Sequence, residues 1–352
     1  MRKAKRIFVI ADFKDESPMS IRIERRRWPK GFTRLGHDVQ RFSYRNVLTQ
    51  FNPFSGRHFR RFMPRFVKKI TDSILEQQVQ RYHPDIIFVH LLKYLDDETI
   101  KTLRQVAPNA TVIVRDNDPF PEQYPSRIKI AKEADIFTAT NAGRFLQTYK
   151  DAGAKTCAFI PNPCDPDIQH PYDVEDEWKS DIIFTGKADH RRLEKIAGGN
   201  NNHRHLLLKK LSKMQNAKLY GCFENPRVEG LETFWAISGA KIALSINIVN
   251  NVRLYHSDRL INCLACGTFT LAKRVPDTDL LFEDRKHLRY FDTEDEFFDL
   301  VDYYLQHEQE REKIAKAGMQ RAHAEFNCEK MAQYMLDLIE TGTYDSPWSL
   351  VL

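Results

Sequence analysis

The sequence predicts an α/β protein of two nucleotide-binding-like lobes that face each other across a cleft. Three observations carry this reading. Strand-like and helix-like segments alternate from residue 6 to residue 160. A proline- and acid-rich stretch without periodicity follows at 161–178, as expected of a linker. The alternation then restarts at Ser180.

The first strand is Arg6-Ile-Phe-Val-Ile-Ala-Asp-Phe13, preceded by a basic tail. Its apolar run, Ile7 to Ile10, is too short for the core of a signal peptide. Residues 20–36 are basic, with a helical reading that ends at Leu35-Gly36-His37, where glycine suits a helix C-cap. Asp38 to Tyr44 reads as a second strand. Residues 62–82 form an amphipathic helix, and Pro84 to His90 follows as a strand buried on both faces. Leu95 to Pro108 is a helix stopped by its proline, and Thr111 to Asp116 is a strand. Residues 134–140, 141–153 and 155–161 give strand, helix, strand. Strands joined by helices pair in parallel and are covered on both faces.

In the second half, strands are expected at 180–187, 216–221, 240–248 and 267–273, with helices at 203–214 and 257–267. Three helices close the chain, at 293–307, 308–326 and 328–341. The expected domains are 1–165, 178–327 and a C-terminal helix and tail at 328–352. A pair of such lobes places a ligand at the strand C-terminal ends, in the cleft between them.

A chain of 352 residues, 42% hydrophobic and 29% charged, is long enough for two domains. Aromatic and β-branched residues are spread throughout, which excludes a disordered chain. No apolar run reaches the roughly 18 residues of a membrane-spanning helix. Cys157, Cys164, Cys222, Cys263, Cys266 and Cys328 are scattered and do not suggest a disulfide framework. Cys263-Leu-Ala-Cys266 lies in an apolar helical stretch with no second pair nearby, so it reads as buried thiols rather than a metal or redox site. A reducing cytoplasm fits this usage.

The net charge of +6 conceals an asymmetry: residues 1–70 hold 19 Lys/Arg against 5 Asp/Glu. A basic first lobe suggests a polyanionic partner, whether anionic lipid, phosphorylated glycan or nucleic acid, with a solvated face as the plain alternative. From Phe54 to Lys69 aromatics interleave with basic residues, a composition suited to the inner face of an anionic membrane or to nucleic acid.

Two segments carry chemistry. In the second half, Asp181-Ile-Ile-Phe-Thr-Gly186-Lys187 is a strand that ends in glycine, followed by Arg191-Arg192. A diphosphate needs positive charge and accessible backbone N–H groups. A glycine lets the backbone approach, and a following helix offers its N-terminus. Arg259, opening a helix, can clamp a phosphate bidentately. In the first half, Val114-Arg-Asp116-Asn-Asp118-Pro-Phe120 ends a strand facing the expected cleft. Asp-x-Asp can also serve as a metal clamp or shape the turn before proline.

Ser257 to Asp284, with Arg259-Leu260-Ile-Asn262-Cys-Leu-Ala-Cys-Gly267 at its heart, resembles the donor-site signature of the glycosyltransferase family that includes the CgeB-like spore maturation proteins (glycosyl transferases group 1). The resemblance spans residues 80–340 and is strongest over 257–284. It implies the GT-B fold, two Rossmann-like lobes facing across a cleft, with the last helix packing back on the first lobe. It implies transfer of a sugar from a nucleotide-diphosphate donor, a UDP-sugar foremost, to an acceptor hydroxyl in bacterial surface glycan synthesis. No cofactor or metal is required. The donor set so implied is Gly186, Lys187, Arg191, Arg192, Tyr220, Arg259, Leu260 and Asn262. The family's ribose-binding glutamate is replaced by Asn262, a neutral amide.

Asp116-Asn-Asp118-Pro-Phe120 locally resembles the region of T-even phage DNA β-glucosyltransferase that bears the catalytic carboxylate. By that resemblance Asp116 is the general base, with Asp118 the second candidate. Asp12, Arg61 and Arg65 are the acceptor-side candidates, Asp12 also reading as a turn residue. Other readings keep the scaffold but take DNA or protein as acceptor, or make it a degenerate binding subunit. A nucleic-acid-binding protein ranks last, since no base-reading module is present.

Overall fold

The computed structural model describes residues 3–13, 23–51, 65–90, 94–118, 120, 124–188 and 203–352. The first lobe runs β1 (Arg6–Ala11), α1 (Ile23–Arg34), β2 (Asp38–Ser43), α2 (Tyr44–Gln50), α3 (Arg65–Tyr82) and β3 (Ile86–His90). It continues with α4 (Asp97–Val106), β4 (Thr111–Asp116), α5 (Pro125–Glu133), β5 (Ile136–Ala139), α6 (Arg144–Asp151) and β6 (Thr156–Phe159). Its six strands pair in parallel in the order β2-β1-β3-β4-β5-β6. β3 is buried at every position, as a central strand covered by helices on both faces must be.

The second lobe runs β7 (Ser180–Thr185), α7 (His203–Leu211), β8 (Ala217–Tyr220), α8 (Glu232–Ser238), β9 (Ala240–Ser245), α9 (Asp258–Ala265), β10 (Phe269–Lys273) and β11 (Arg289–Phe291). Three helices follow: α10 (Glu294–Gln306), α11 (Glu308–Glu325) and α12 (Cys328–Thr341). The sheet is again parallel, in the order β11-β10-β9-β7-β8. Sequence periodicity missed α2, α5, α8 and the three-residue β11, all of them short. All six cysteines are buried free thiols.

The chain passes between the lobes twice, and the two crossings lie side by side. Cys164 N–H donates to Phe326 O at 2.7 Å, and Cys164 pairs with Asn327 in a parallel bridge. After the second crossing α12 packs on α1 of the first lobe. The approach is close enough to require glycine, because a Cβ on Gly31 would lie 2.1 Å from Cys328 O. α12 starts at Asn327, whose side chain accepts from Lys330 N–H, and ends at Gly342, φ +75°. The last residues then run along β6: Phe159 N–H donates to Leu350 O and Leu352 N–H to Cys157 O. This tail covers the β6 edge of the sheet.

An apolar cluster adds to the joint. Phe120 and Phe145 of the first lobe pack with Val249, Val252 and Tyr255 of the second. Phe120 meets Tyr255 edge-on at 5.8 Å. Buried Arg27 of α1 also reaches across, donating to Asp258 Oδ1 at 3.3 Å and Asn262 Oδ1 at 2.8 Å.

Candidate functional site

A cavity of about 770 Å³ opens between the lobes at the C-terminal ends of β4, β7 and β9. In a parallel sheet this is the end where loops and helix N-termini converge. The first lobe contributes Asp118, Phe120 and Tyr124; the second contributes most of the remaining wall. Among the described residues four cationic side chains line it, Lys187, Arg204, Arg227 and Arg259, against the single carboxylate of Asp118.

The second-lobe wall grows out of β7. Phe184 is buried near its end, and two guanidinium groups lie over its ring, Arg259 at 4.3 Å and Arg204 at 5.0 Å from the centroid. Arg259 is aimed by uncharged groups. Its Nε donates to Thr185 O at 2.7 Å and its Nη1 to Ile246 O at 2.9 Å, carbonyls from the ends of β7 and β9. Burial lowers its pKa from the ordinary arginine value, and it meets no carboxylate among the described residues. Nη2 lies beside Gly186. A Cβ there would sit 2.6 Å from it, and Gly186 holds φ +137°, a conformation that only glycine adopts readily. Arg204, in the first turn of α7, donates to the carbonyl of Lys187 and so ties the loop after β7 to that helix.

The N-terminus of α9 faces the same space. Ser257 sits at its N-cap position, yet its hydroxyl caps no backbone N–H and, though buried, has no hydrogen-bond partner among the described residues. It lines the cavity with Arg259. A helix N-terminus, a bare glycine backbone and four cations are chemically complementary to a dianionic or more highly charged group.

On the first-lobe wall the two aspartates at the end of β4 have different surroundings. Asp116 is 2% exposed, and its carboxylate is saturated. Arg127 Nη1 donates to both oxygens at 2.8 Å, Asp118 N–H donates to Oδ1 at 3.0 Å, and Tyr149 O–H approaches Oδ2 at 3.4 Å. Arg127 also donates to the carbonyl of Asp118 and stacks on Tyr124 at 4.1 Å. Asp118 instead lines the cavity. Its side chain is exposed at the cavity, and its carboxyl is held above the ordinary range, first by partial enclosure between the lobes and then by the charge of Asp116, with Arg127 pulling the other way. The expectation that Asp116 faces the acceptor as base therefore does not match its setting: Arg127 and the turn already occupy its lone pairs.

Of the other sequence candidates, Gly186, Lys187, Tyr220 and Arg259 meet in this cavity. Leu260 is buried in the apolar core. Asn262 is turned to the lobe junction, where its side-chain oxygen accepts from Arg27 and, at 2.9 Å, from Gln169 Nε2. Reading it as a ribose contact overlooked Arg27, a partner 235 residues away in sequence. Asp12 follows β1 as a buried partner of Arg45 at 3.5 Å, and Arg65 is exposed at the start of α3. Arg61, Arg191 and Arg192 lie outside the described residues. Sequence reading missed Arg204 and Arg227. Arg204 carried a usable signal, a basic residue in the first turn of the helix after the strand–glycine segment, whereas Arg227 sits in an irregular loop.

Residues 201–337 match the model of a glycosyl transferase-like family. A search of curated proteins finds no match. Among solved structures, sucrose-phosphate synthase from Thermosynechococcus elongatus superposes with a TM-score of 0.62 at 14% identity, covering 96% of this chain and 98% of that one. A glycosyltransferase from Rickettsia africae superposes at 0.57 and 12% identity, covering 96% and 98%. HepE from Anabaena, solved with UDP and glucose, superposes at 0.56 and 10% identity, covering 96% and 100%. The chain has the GT-B fold, and the family match falls mainly on its second lobe.

Proposed function

We propose that the protein is a glycosyltransferase that takes its sugar from a nucleoside-diphosphate donor held in the interlobe cavity. The observation that carries this reading is the second-lobe wall. Arg259 is aimed by two carbonyls, Gly186 leaves the backbone bare beside it, and the α9 N-terminus faces the same space. A diphosphate satisfies these groups together, and cations already in place stabilise the charge that grows on it as the anomeric bond breaks. A UDP-sugar is the donor we favour, supported by the HepE structures with UDP and UDP-glucose.

Asp118 is the general base of this proposal. A carboxylate whose pKa lies above the ordinary range is the stronger base. It removes the acceptor hydroxyl's proton as that oxygen attacks the anomeric carbon and the diphosphate leaves, so the configuration inverts. Asp116 and Arg127 position Asp118 by holding its turn.

The test is release of nucleoside diphosphate from UDP-glucose, UDP-galactose, UDP-N-acetylglucosamine and GDP-mannose, with acceptor or with water alone. Release from one donor, lost on Arg259→Ala, supports the proposal. Release from none of them, with no nucleotide raising the melting temperature, contradicts it and favours a degenerate binding scaffold.

A further inference from the structure

The rim of the first lobe presents a surface that sugar transfer does not use. Among the described residues, Phe51 at the end of α2 is 44% exposed, and Phe66 and Ile70 in the first turns of α3 are 55% and 37% exposed. Arg65 and Lys69 are exposed on the same turns and meet no carboxylate among the described residues. Their neighbour Lys68 differs, because it is engaged by Asp72 at 2.5 Å and Asp96 at 3.2 Å. Residues 52–64 lie outside the described residues.

We propose that this rim docks on an anionic lipid bilayer. Exposed phenyl and aliphatic side chains beside uncompensated cations match the two layers of such a surface, acyl boundary and negative headgroups. Nucleic acid shares the charge and the stacking, but exposed Ile70 gains nothing from stacked bases. The place also fits. α3 ends just before β3 begins, so its first turns lie toward the C-terminal end of the sheet, the end that carries the cavity. No described helix is long and apolar enough to cross a membrane, so contact through this surface would be peripheral.

Co-sedimentation of the full chain with vesicles tests this, using phosphatidylcholine alone and phosphatidylcholine mixed with phosphatidylglycerol. Binding is expected only to the mixture, falling as salt rises. The double variant Phe66→Ser/Ile70→Ser should reduce the bound fraction on the order of tenfold, since both side chains leave the acyl boundary. These side chains are already exposed, so its melting temperature should match wild type; should it not, Arg65→Glu/Lys69→Glu makes the same test through charge. Equal binding to both vesicle types, no binding to the anionic ones, unchanged binding by the variants, or displacement from vesicles by single-stranded DNA would each overturn the proposal. Nucleotide binding measured in parallel stays unchanged, which separates this surface from the cavity.

Discussion

On the second-lobe wall of the cavity a cation is held by uncharged groups, while on the first-lobe wall a carboxylate is held by a cation. Arg259 is oriented by the carbonyls of Thr185 and Ile246 and keeps its charge for whatever enters. Asp116 is oriented by Arg127 and has no charge left to offer. The aspartate two residues on lines the cavity, while its backbone is held by Asp116 and the same arginine. A side chain positioned by neutral dipoles stays available for binding. One positioned by an opposite charge becomes part of the frame.

That contrast breaks most visibly at Asp118. Asp118→Asn should slow transfer by about 10²–10⁴-fold, the range general-base catalysis supplies, with donor affinity nearly unchanged. In the wild type the rate should fall as pH drops through a carboxyl pKa above the ordinary range, since the base must be unprotonated. A normal rate in the variant would remove Asp118 from the chemistry, and a product of retained configuration by NMR would exclude direct displacement.

Asp116→Asn should behave as a fault in the frame. It leaves Arg127 largely buried without its carboxylate, a loss of about 3–5 kcal/mol in the range for broken buried pairs. Chemical denaturation should show that loss along with reduced activity. Activity abolished at unchanged stability would return the base role to Asp116.

Arg259→Ala should weaken nucleoside-diphosphate binding by about 1.5–3 kcal/mol, the value of a hydrogen bond to a charged group. Gly186→Ala should cause a similar loss by displacing Nη2, which its Cβ would approach to 2.6 Å. Calorimetry of the two variants compares the routes, and unaffected binding in both would place the diphosphate elsewhere.

The smallest change is expected at Asn262. Because its side chain faces Arg27 and Gln169, Asn262→Glu should alter donor affinity by less than about 0.5 kcal/mol, the scale of a substitution away from the ligand. A clear gain in affinity for nucleosides by calorimetry would show that the side chain reaches the ribose.

The two walls also differ in how far the sequence reveals them. Gly186 and Arg259 stand out because a strand ending in glycine and an arginine opening a helix are local patterns with a local physical reason. The choice between Asp116 and Asp118 is not local. It is made by Arg127, in a short helix behind the Pro-Phe-Pro-Glu-Gln-Tyr-Pro run, where prolines obscure any periodicity. Asn262 shows the same limit, since its partner Arg27 comes from the other lobe. The alternation of strands and helices, by contrast, makes most of both parallel sheets legible, because central strands such as β3 and β4 are continuous apolar runs.

Calorimetric titration with UDP, GDP and ADP, each beside its parent nucleoside, tests the central claim most directly. A cavity built to hold a diphosphate predicts that at least one diphosphate binds about tenfold or more tightly than its nucleoside, the minimum for one charge-assisted contact. The difference should shrink in Arg259→Ala. Equal affinity for diphosphate and nucleoside across all three pairs, or no binding at all, would contradict the account.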